Sequence, residues 1–159
     1  MKTNEEVYRK YLEILRLKLI KKYDDLGLRA SGKYADELEA SVLPNKLIMY
    51  GSSHSQFMEL GRNPGRFPPI KSILEWIENK QGIPDIFKEK KKQYAFLIAR
   101  KIANEGIKVP NQFNKGKVIE DVVNDFLAND IDKLLLELGD VFLARIKVDI
   151  LNIFKELQV

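Results

Sequence analysis

The sequence has no cysteine and a single histidine, His54. Without cysteine the chain has no disulfide, no thiolate nucleophile and no thiolate metal ligand, a composition that fits a protein made in the cytoplasm. Zinc sites are built mainly from several cysteine and histidine side chains. The sequence therefore predicts no zinc site.

Long uncharged apolar runs are also missing, although 45% of the residues are hydrophobic. A membrane-spanning helix needs about 20 predominantly apolar residues, so we expect no membrane span and no membrane partner. Residues 1–6 lead directly into a charged helical pattern without an apolar signal region. This predicts a protein that is not exported by the signal-peptide route.

A large excess of one charge is absent as well. The net charge of +4 arises from 27 basic and 23 acidic residues, and so small an excess does not by itself indicate nucleic-acid binding. The local exception is a lysine-rich run, in which the candidate DNA-facing residues are Lys88, Lys90, Lys91 and Lys92. Such a run is commonly a solvated face, and the alternative is an anionic surface or nucleic acid as partner.

Catalytic motifs are not recognisable. His54 lies between Ser53 and Ser55, but consecutive side chains diverge and do not form a catalytic dyad. No phosphate-binding loop and no nucleophile elbow is present. Carboxylates cluster at expected helix ends and exposed faces, so a metal-dependent hydrolase is only a third hypothesis. We therefore expect no enzyme, no cofactor, no catalytic or metal residues and no small-molecule substrate.

Hydrophobic periodicity predicts an α+β fold, in which a small antiparallel sheet is packed by a long N-terminal helix and further helices and is followed by a long C-terminal helical segment. The predicted domains are an α+β core over 1–117 and a C-terminal helical extension over 118–159, packed on the core or on a neighbouring subunit. The predicted elements are a helix over 4–25, strands over 34–42 and 46–50, and a short serine-capped helix that carries Phe57, Met58 and Leu60 toward the core. Helices follow over 70–80 and 93–104, and in the second of these Ala95, Phe96, Ala99, Ile102 and Ala103 share a face whose small alanines allow close approach of another helix or sheet. The rest is predicted as a loop over 107–117, a helix or strand over 118–127, and a last helix over 131–157 that is either continuous or bent at Gly139.

The apolar stripe of the last predicted helix is longer than a small sheet can cover. Part of it is therefore expected to pack on the first helix or on another subunit. This surplus is an indication of assembly that comes from the sequence alone.

The stretch from Glu59 to Gly82 is the most informative part of the chain. Glycines and prolines between Gly61 and Pro69 exclude a helix and predict a shaped loop that leads into the helix over 70–80. Arg62 and Arg66 project from this loop, where they either form local salt bridges or reach a neighbouring chain. Core packing is the favoured interpretation of Trp76, and an interface anchor is its alternative.

Several segments resemble small virion proteins of tailed bacteriophages and prophages. They are Tyr50-Gly51, Phe57 to Arg62, the block Gly61-Arg62-Asn63-Pro64-Gly65-Arg66-Phe67-Pro68-Pro69, Trp76-Ile77, Lys80 to Ile83, Ala95 to Ile102 and Gly106-Ile107. Leu28 to Gly32 followed by an alternating strand is similar to the opening of tail-completion or neck proteins of the phage HK97 tail-component type. The resemblance covers residues 28–113.

This resemblance implies a non-enzymatic virion protein that forms a homo-oligomeric ring at the junction of head and tail. It implies portal, adaptor or tail-tube proteins as partners, a passing contact with genomic DNA, and a location in the virion neck or tail after assembly in the host cytoplasm. A ring needs two different complementary patches per copy, for which the shaped loop and the exposed helical stripe are candidates. The candidate interface residues are Arg62, Pro64, Arg66, Phe67, Trp76 and Phe113. Phe113 docks either on its own fold or on a neighbouring copy.

The alternative function is that of a cytoplasmic nucleic-acid-binding protein, monomeric or dimeric, that uses the lysine-rich run with Lys101, Arg62 and Arg66. It predicts DNA binding that weakens steeply with salt.

Overall fold

A computed structural model describes residues 2–43 and 46–156. Along the chain the elements are α1 (Asn4–Asp25), α2 (Lys33–Asp36), β1 (Glu39–Leu43), β2 (Lys46–Tyr50), α3 (Ser55–Leu60), α4 (Ile70–Asn79), α5 (Asp85–Glu89), α6 (Lys91–Glu105), α7 (Val118–Asn129) and α8 (Ile131–Glu156). Long terminal helices and a two-stranded antiparallel sheet confirm the predicted α+β fold.

Helix α1 starts with a capping box and has the predicted bounds. The Thr3 hydroxyl accepts from the Glu6 amide, and the Glu6 carboxylate accepts from the Thr3 amide at 2.7 Å. The helix buries a stripe at helical spacing, formed by Val7, Tyr11, Leu12 and Leu19. The sheet, α7 and α8 pack along α1, so this helix is the centre of that part of the fold.

Strands β1 and β2 form the predicted hairpin, with Glu39 paired to Tyr50 and Leu43 to Lys46. The prediction that the first strand begins at Tyr34 was wrong, because residues 33–36 form α2. Gly32 has a φ of 87°, which turns the chain into this short helix. The helical turn brings Tyr34 onto Tyr23 of α1, with ring centroids 4.4 Å apart. The helical turn lets Tyr34 and Leu38 be buried in the same cluster. This burial favours a helix here over the strand that the alternating pattern predicted.

Three apolar clusters form the core. The first joins the N-terminal half of α1 to α8, and the second joins the C-terminal half of α1 to α2, the sheet and α7. The third lies between α4 and α6, where Ile73 and Ile77 pack on Ala95 and Ala99. The small alanines let the two helices approach closely, as the sequence predicted.

Some side chains expected in the core are at the surface. Phe57 and Leu60 of α3 are exposed and only Met58 is half-buried, while Phe96 of α6 faces outward. His54, not a serine, occupies the N-cap of α3 and makes no side-chain cap. The aromatic side chains of Phe57 and Phe96 therefore lie at the surface.

Helix α7 is a helix and not a strand, and α8 runs through Gly139 without a break. Helix α8 is antiparallel to α1. Asp130 pairs with Lys18, Glu137 accepts from Tyr11 at 2.8 Å, and Ala144 borders the same cavity as Lys2. Beyond Ala144 every described residue of α8, 145–156, is exposed. This end therefore projects past the start of α1 by about 18 Å.

Candidate subunit interface

The loop over 61–69 is fastened to the end of α6 through the backbone. Arg62 and Ile107 exchange two hydrogen bonds, of 2.8 and 2.7 Å, and the Gly65 amide donates to the Ala103 carbonyl at 2.7 Å. The loop therefore has a defined conformation although its side chains are largely exposed.

Two glycines make this fastening possible. Gly61 and Gly106 have φ values of 78° and 73°. A Cβ on Gly61 would lie 2.1 Å from the Ile107 carbonyl oxygen, and a Cβ on Gly106 would lie 2.2 Å from that of Arg62. Any side chain at either position would therefore separate the two backbone segments.

Neither of the two loop arginines forms an ion pair with a carboxylate in the described part of the chain. The Arg62 guanidinium donates to the Arg66 carbonyl at 2.8 Å and stacks over the Phe57 ring, 5.6 Å from its centroid. Arg66 is exposed, as is Pro64. Arg62 thus stabilises the loop through a hydrogen bond to a backbone carbonyl and a cation–π contact, in place of a salt bridge. The Arg66 guanidinium remains accessible.

Phe67 also lies at the surface, beside Phe96 of α6. Their ring centroids are 5.7 Å apart, a distance typical of interacting aromatic pairs. Both rings remain about half exposed. This pair forms an apolar patch on the α6 side of the loop.

Trp76 lies on α4 between two buried isoleucines but is itself exposed. Ile73 and Ile77 are buried, whereas Trp76 keeps 40% of its surface accessible, so the core interpretation of this side chain was wrong. It borders a cavity of about 630 Å³, together with Phe57, Tyr34 and Asn114. Burial raises the pKa of Tyr34 to about 12, helped by the nearby negative charge of Glu59, so this phenol is neutral at physiological pH.

Phe113 is the most exposed aromatic side chain among the described residues, at 79%. Its loop is nevertheless ordered by hydrogen bonds. The Asn111 carboxamide oxygen accepts from the amides of Phe113 and Asn114, and the Asn114 side chain donates to the Met58 carbonyl at 2.8 Å. Phe113 is therefore displayed at the tip of a fixed turn and does not pack into the core of its own chain.

The structure brings part of the predicted set together. Phe57 and Trp76 border one cavity, as does Asn114, the residue after Phe113, and the Arg62 guanidinium stacks over the Phe57 ring. We call Phe57, Arg62, Trp76 and Phe113 the loop face. Phe67 instead belongs to the patch with Phe96. Sequence analysis missed the surface role of Phe57, because its spacing with Met58 and Leu60 resembled that of a core helix.

Glu59 is a structural residue that sequence analysis also missed. Its carboxylate accepts hydrogen bonds from three successive amides at the start of α7, those of Val118, Ile119 and Glu120, at 2.8, 3.2 and 3.0 Å. The first amides of a helix have no partner within the helix and favour an anion. Glu59 therefore links the segment before the loop to the C-terminal helices.

The candidate DNA-facing lysines are dispersed: Lys88 lies in α5, Lys90 between α5 and α6, and Lys91 and Lys92 at the start of α6. Lys91 pairs with Glu78, whereas Lys88, Lys90 and Lys92 are exposed and have no ion pair within residues 2–43 and 46–156. Lys101 lies farther along α6 and is also exposed. Lys101 borders a cavity with Lys108 and Glu105, and the four candidate lysines do not line that cavity.

A second apolar surface lies on α8. Large apolar side chains are exposed along one side of this helix; they are Leu135, Leu136, Phe142, Leu143, Ile146, Ile150, Ile153 and Phe154. Val148 and Leu151 are exposed elsewhere around the projecting end. Leu134 and Val141, which pack on α1, point to the other side. The predicted surplus of apolar surface is therefore located on the outer side of α8.

The loop face and this second surface lie at opposite ends of α1. Tyr23, near the end of α1, borders the same cavity as Trp76. Lys2, just before the start of α1, borders a cavity with Ala144, where the projecting end of α8 begins. With 22 residues, α1 is about 33 Å long.

The serine and histidine cluster shows no catalytic arrangement. Ser53 Oγ lies 3.1 Å from His54 Nδ1, on an exposed part of the chain, and the Ser55 hydroxyl is buried without a hydrogen-bond partner. Within residues 2–43 and 46–156 no three histidine or carboxylate side chains lie close enough to hold a metal ion. None of the helices described is both long and apolar enough to cross a membrane.

Comparison of the chain with protein-family models, curated proteins and solved structures finds no match. Its function must therefore be argued from its own residues and surfaces.

Proposed function

We propose that this chain is a structural protein of a tailed-bacteriophage particle, a ring-forming neck or tail-completion component at the junction of head and tail. In this role it is not an enzyme. Its partners are further copies of itself and the portal, adaptor or tail-tube proteins, and it is assembled in the host cytoplasm. The resemblance of residues 28–113 to such proteins is the starting point of the proposal.

The observation that carries the proposal is the presence of two different apolar surfaces at opposite ends of α1. A monomer seldom exposes contiguous apolar patches of this kind without a partner for them. A closed ring requires two unlike patches on each copy, because each copy contacts its neighbours through different surfaces. The loop face provides one contact with a neighbouring copy, and the outer side of α8 provides a second, separate one.

The loop face has the composition of an interface centre. Aromatic side chains and arginine are enriched at such centres. Here Phe57 and Trp76 border one cavity, and Arg62 stacks over Phe57. The turn that displays Phe113 is fixed by hydrogen bonds, so little entropy is lost when it docks.

Light scattering and electron microscopy of the purified chain test the proposal. We expect discrete oligomers at increasing concentration and ring-shaped particles. Phe113→Asp should reduce assembly, because it places a charge at an apolar contact. Leu17→Asp is the matched control, since Leu17 is an exposed apolar residue of α1 outside both surfaces.

The same samples with duplex DNA test the alternative function. A monomer that binds duplex at low salt and releases it at high salt would contradict the ring proposal and favour nucleic-acid binding. In that event the combined change of Lys88, Lys90 and Lys92 to glutamine should abolish the binding.

A further inference from the structure

The outer side of α8 carries a heptad repeat. Its apolar positions are separated alternately by three and four residues, as at the a and d positions of a coiled coil; they are Leu136, Gly139, Leu143, Ile146, Ile150 and Ile153. A repeat of 3.5 residues matches a helix that supercoils with other helices. It is not needed for contact with α1, because the helix uses its opposite side for that contact.

This surface is large enough for a specific interface. From the exposed fractions of its side chains, and with roughly 200 Å² for a fully exposed large apolar residue, it presents on the order of 800 Å² per copy. A standard protein–protein interface buries about the same area from each partner. The surface also exceeds the largest apolar patch of a typical monomer, roughly 300–600 Å².

The charges on the projecting end favour a protein partner over a membrane. Residues 145–156 contain three basic side chains, Arg145, Lys147 and Lys155, and two acidic ones, Asp149 and Glu156. Helices that lie on membranes are typically rich in lysine and arginine on the polar face. The nearly balanced polar face and the heptad repeat together favour another helix of the same pattern.

The residue types at the a and d positions indicate how many helices associate. Leucine at a with isoleucine at d, or isoleucine at both, favours parallel bundles of three or more helices over pairs. Here Leu143 is followed by Ile146, and Ile150 by Ile153. The flanking Phe142 and Phe154 widen the apolar side, as expected where each helix contacts two neighbours.

We propose that the α8 helices of neighbouring copies associate in parallel through this heptad surface, in a bundle of three or more. The occupant of the surface is thus the same surface of further copies of this chain. The inference rests on the homo-oligomer of the proposed function, whose cyclic symmetry makes such helices parallel. It does not depend on the virion as the location.

The first test compares two neighbouring substitutions. Ile150→Glu places a charge on the heptad surface, while Leu151→Glu places it on the adjacent position outside the repeat; the two residues are 46% and 59% exposed. Both are free of core contacts, so both variants should fold. We expect Ile150→Glu to raise the dissociation constant of the oligomer by about 30-fold or more, the effect of losing a central anchor, and Leu151→Glu to leave it unchanged.

The outcomes separate the two proposals. A wild-type chain that remains monomeric at all concentrations would overturn both the bundle and the homo-oligomeric ring. An oligomer that Ile150→Glu does not weaken would overturn the bundle alone. Circular dichroism of each variant shows whether helix content is retained, so that a folding defect is not mistaken for lost association.

The second test determines helix orientation by cysteine cross-linking. Because the chain has no native cysteine, single substitutions at Ile146, Ile150 and Ile153 report only on the introduced thiol. A parallel bundle brings equivalent residues together, so oxidation should link copies at all three positions, while the Leu151→Cys control stays unlinked. Linkage at only one of the three positions would indicate antiparallel helices and would overturn the proposal.

Discussion

At the scale of single residues, Glu59 caps α7 from a distant part of the chain. The residue at the N-cap of α7, Lys117, has a φ of 56° and makes no side-chain cap. The amides of Val118, Ile119 and Glu120 therefore have no acceptor from the N-cap side chain, and they donate to the Glu59 carboxylate instead. A local sequence pattern gives no sign of this, because the acceptor precedes the helix by almost sixty residues.

Replacement of Glu59 tests this cap. Glu59→Gln keeps the size of the side chain but removes its charge and one of its acceptor oxygens, so we expect the free energy of unfolding to fall by about 1–3 kcal/mol. Urea denaturation followed by circular dichroism measures the change. Glu105→Gln, at an exposed position without a hydrogen bond among the described residues, should have little effect, and equal stabilities of the two variants would contradict the cap.

The close contact between Arg62 and Ile107 likewise depends on single residues. Gly106→Ala adds a Cβ 2.2 Å from the Arg62 carbonyl oxygen and must also adopt a positive φ, so we expect a loss of more than about 2 kcal/mol. Gly65→Ala also has a positive φ but meets open space, and should cost less. Amide hydrogen exchange at Arg62 and Ile107 would show whether the contact opens in Gly106→Ala and persists in Gly65→Ala.

At the scale of elements, periodicity predicts the long helices well. The first helix and the helix after the Gly-Pro loop have nearly the predicted bounds, and α8 is a helix throughout its described length. The apolar stripes of α1 and α4 face partners within the chain, so local pattern and tertiary packing agree there, whereas the outer apolar side of α8 stays exposed. Short elements were predicted less well. At Tyr34 four residues fit more than one periodicity, and a helix forms where a strand was expected. At Phe57 the predicted short helix forms, but Phe57 and Leu60 face outward. Contacts with distant residues decide both outcomes.

Gly139 gives a prediction at this scale. It lies within α8, has no positive φ, and a Cβ there would meet nothing within 4 Å. Gly139→Ala should therefore stabilise the chain by roughly 1 kcal/mol, through the higher helix propensity of alanine. Thermal unfolding measures this gain. Gly82→Ala is the control, since Gly82 has equally open surroundings but a φ of +77°, and it should destabilise the chain.

At the scale of the whole molecule, ion pairs connect α1 to the C-terminal helices along its length. Lys22 pairs with Asp121, Lys18 with Asp125 and Asp130, and Lys2 and Lys10 with Glu137. Hydrogen bonds from Lys10, Lys2 and Tyr11 lower the pKa of Glu137 to about 2, and the hydrogen bond from Lys18 lowers that of Asp130. These contacts relate residues more than 95 positions apart, and their pairing could not be predicted from the sequence.

The lowered pKa values predict sensitivity to acid. A carboxylate whose pKa is lower in the folded state stabilises the fold above its unfolded pKa, and this contribution is lost as the pH falls towards the folded pKa. For Glu137 the window extends from 4.5 to about 2. Glu137→Gln should therefore be less stable than the wild type at pH 7 and should approach it at pH 2. Denaturation across this range measures the difference, and a constant difference would contradict the role of the charge; Glu89→Gln, at an exposed site, serves as control.

The candidate interface also belongs to this scale. The sequence singled out the loop and Phe113 as candidates, but not that Phe57 and Trp76 border one cavity with Arg62 stacked over Phe57. That arrangement depends on how α3, α4 and two loops fold together. The sequence identified surplus apolar surface on the last helix, but only the contacts with α1 show which side remains exposed.

Trp76 is the single tryptophan of the chain and lies, partly accessible, beside the cavity of the loop face. Tyrosine apart, it is the only strong near-ultraviolet fluorophore, so excitation at the long-wavelength edge of indole absorption, where tyrosine does not absorb, gives emission from this one position. A docking partner that removes water from the indole would shift its emission to shorter wavelength. The chain thus contains its own optical reporter for contact at the loop face, while association through α8 at the other end of α1 would leave the spectrum unchanged.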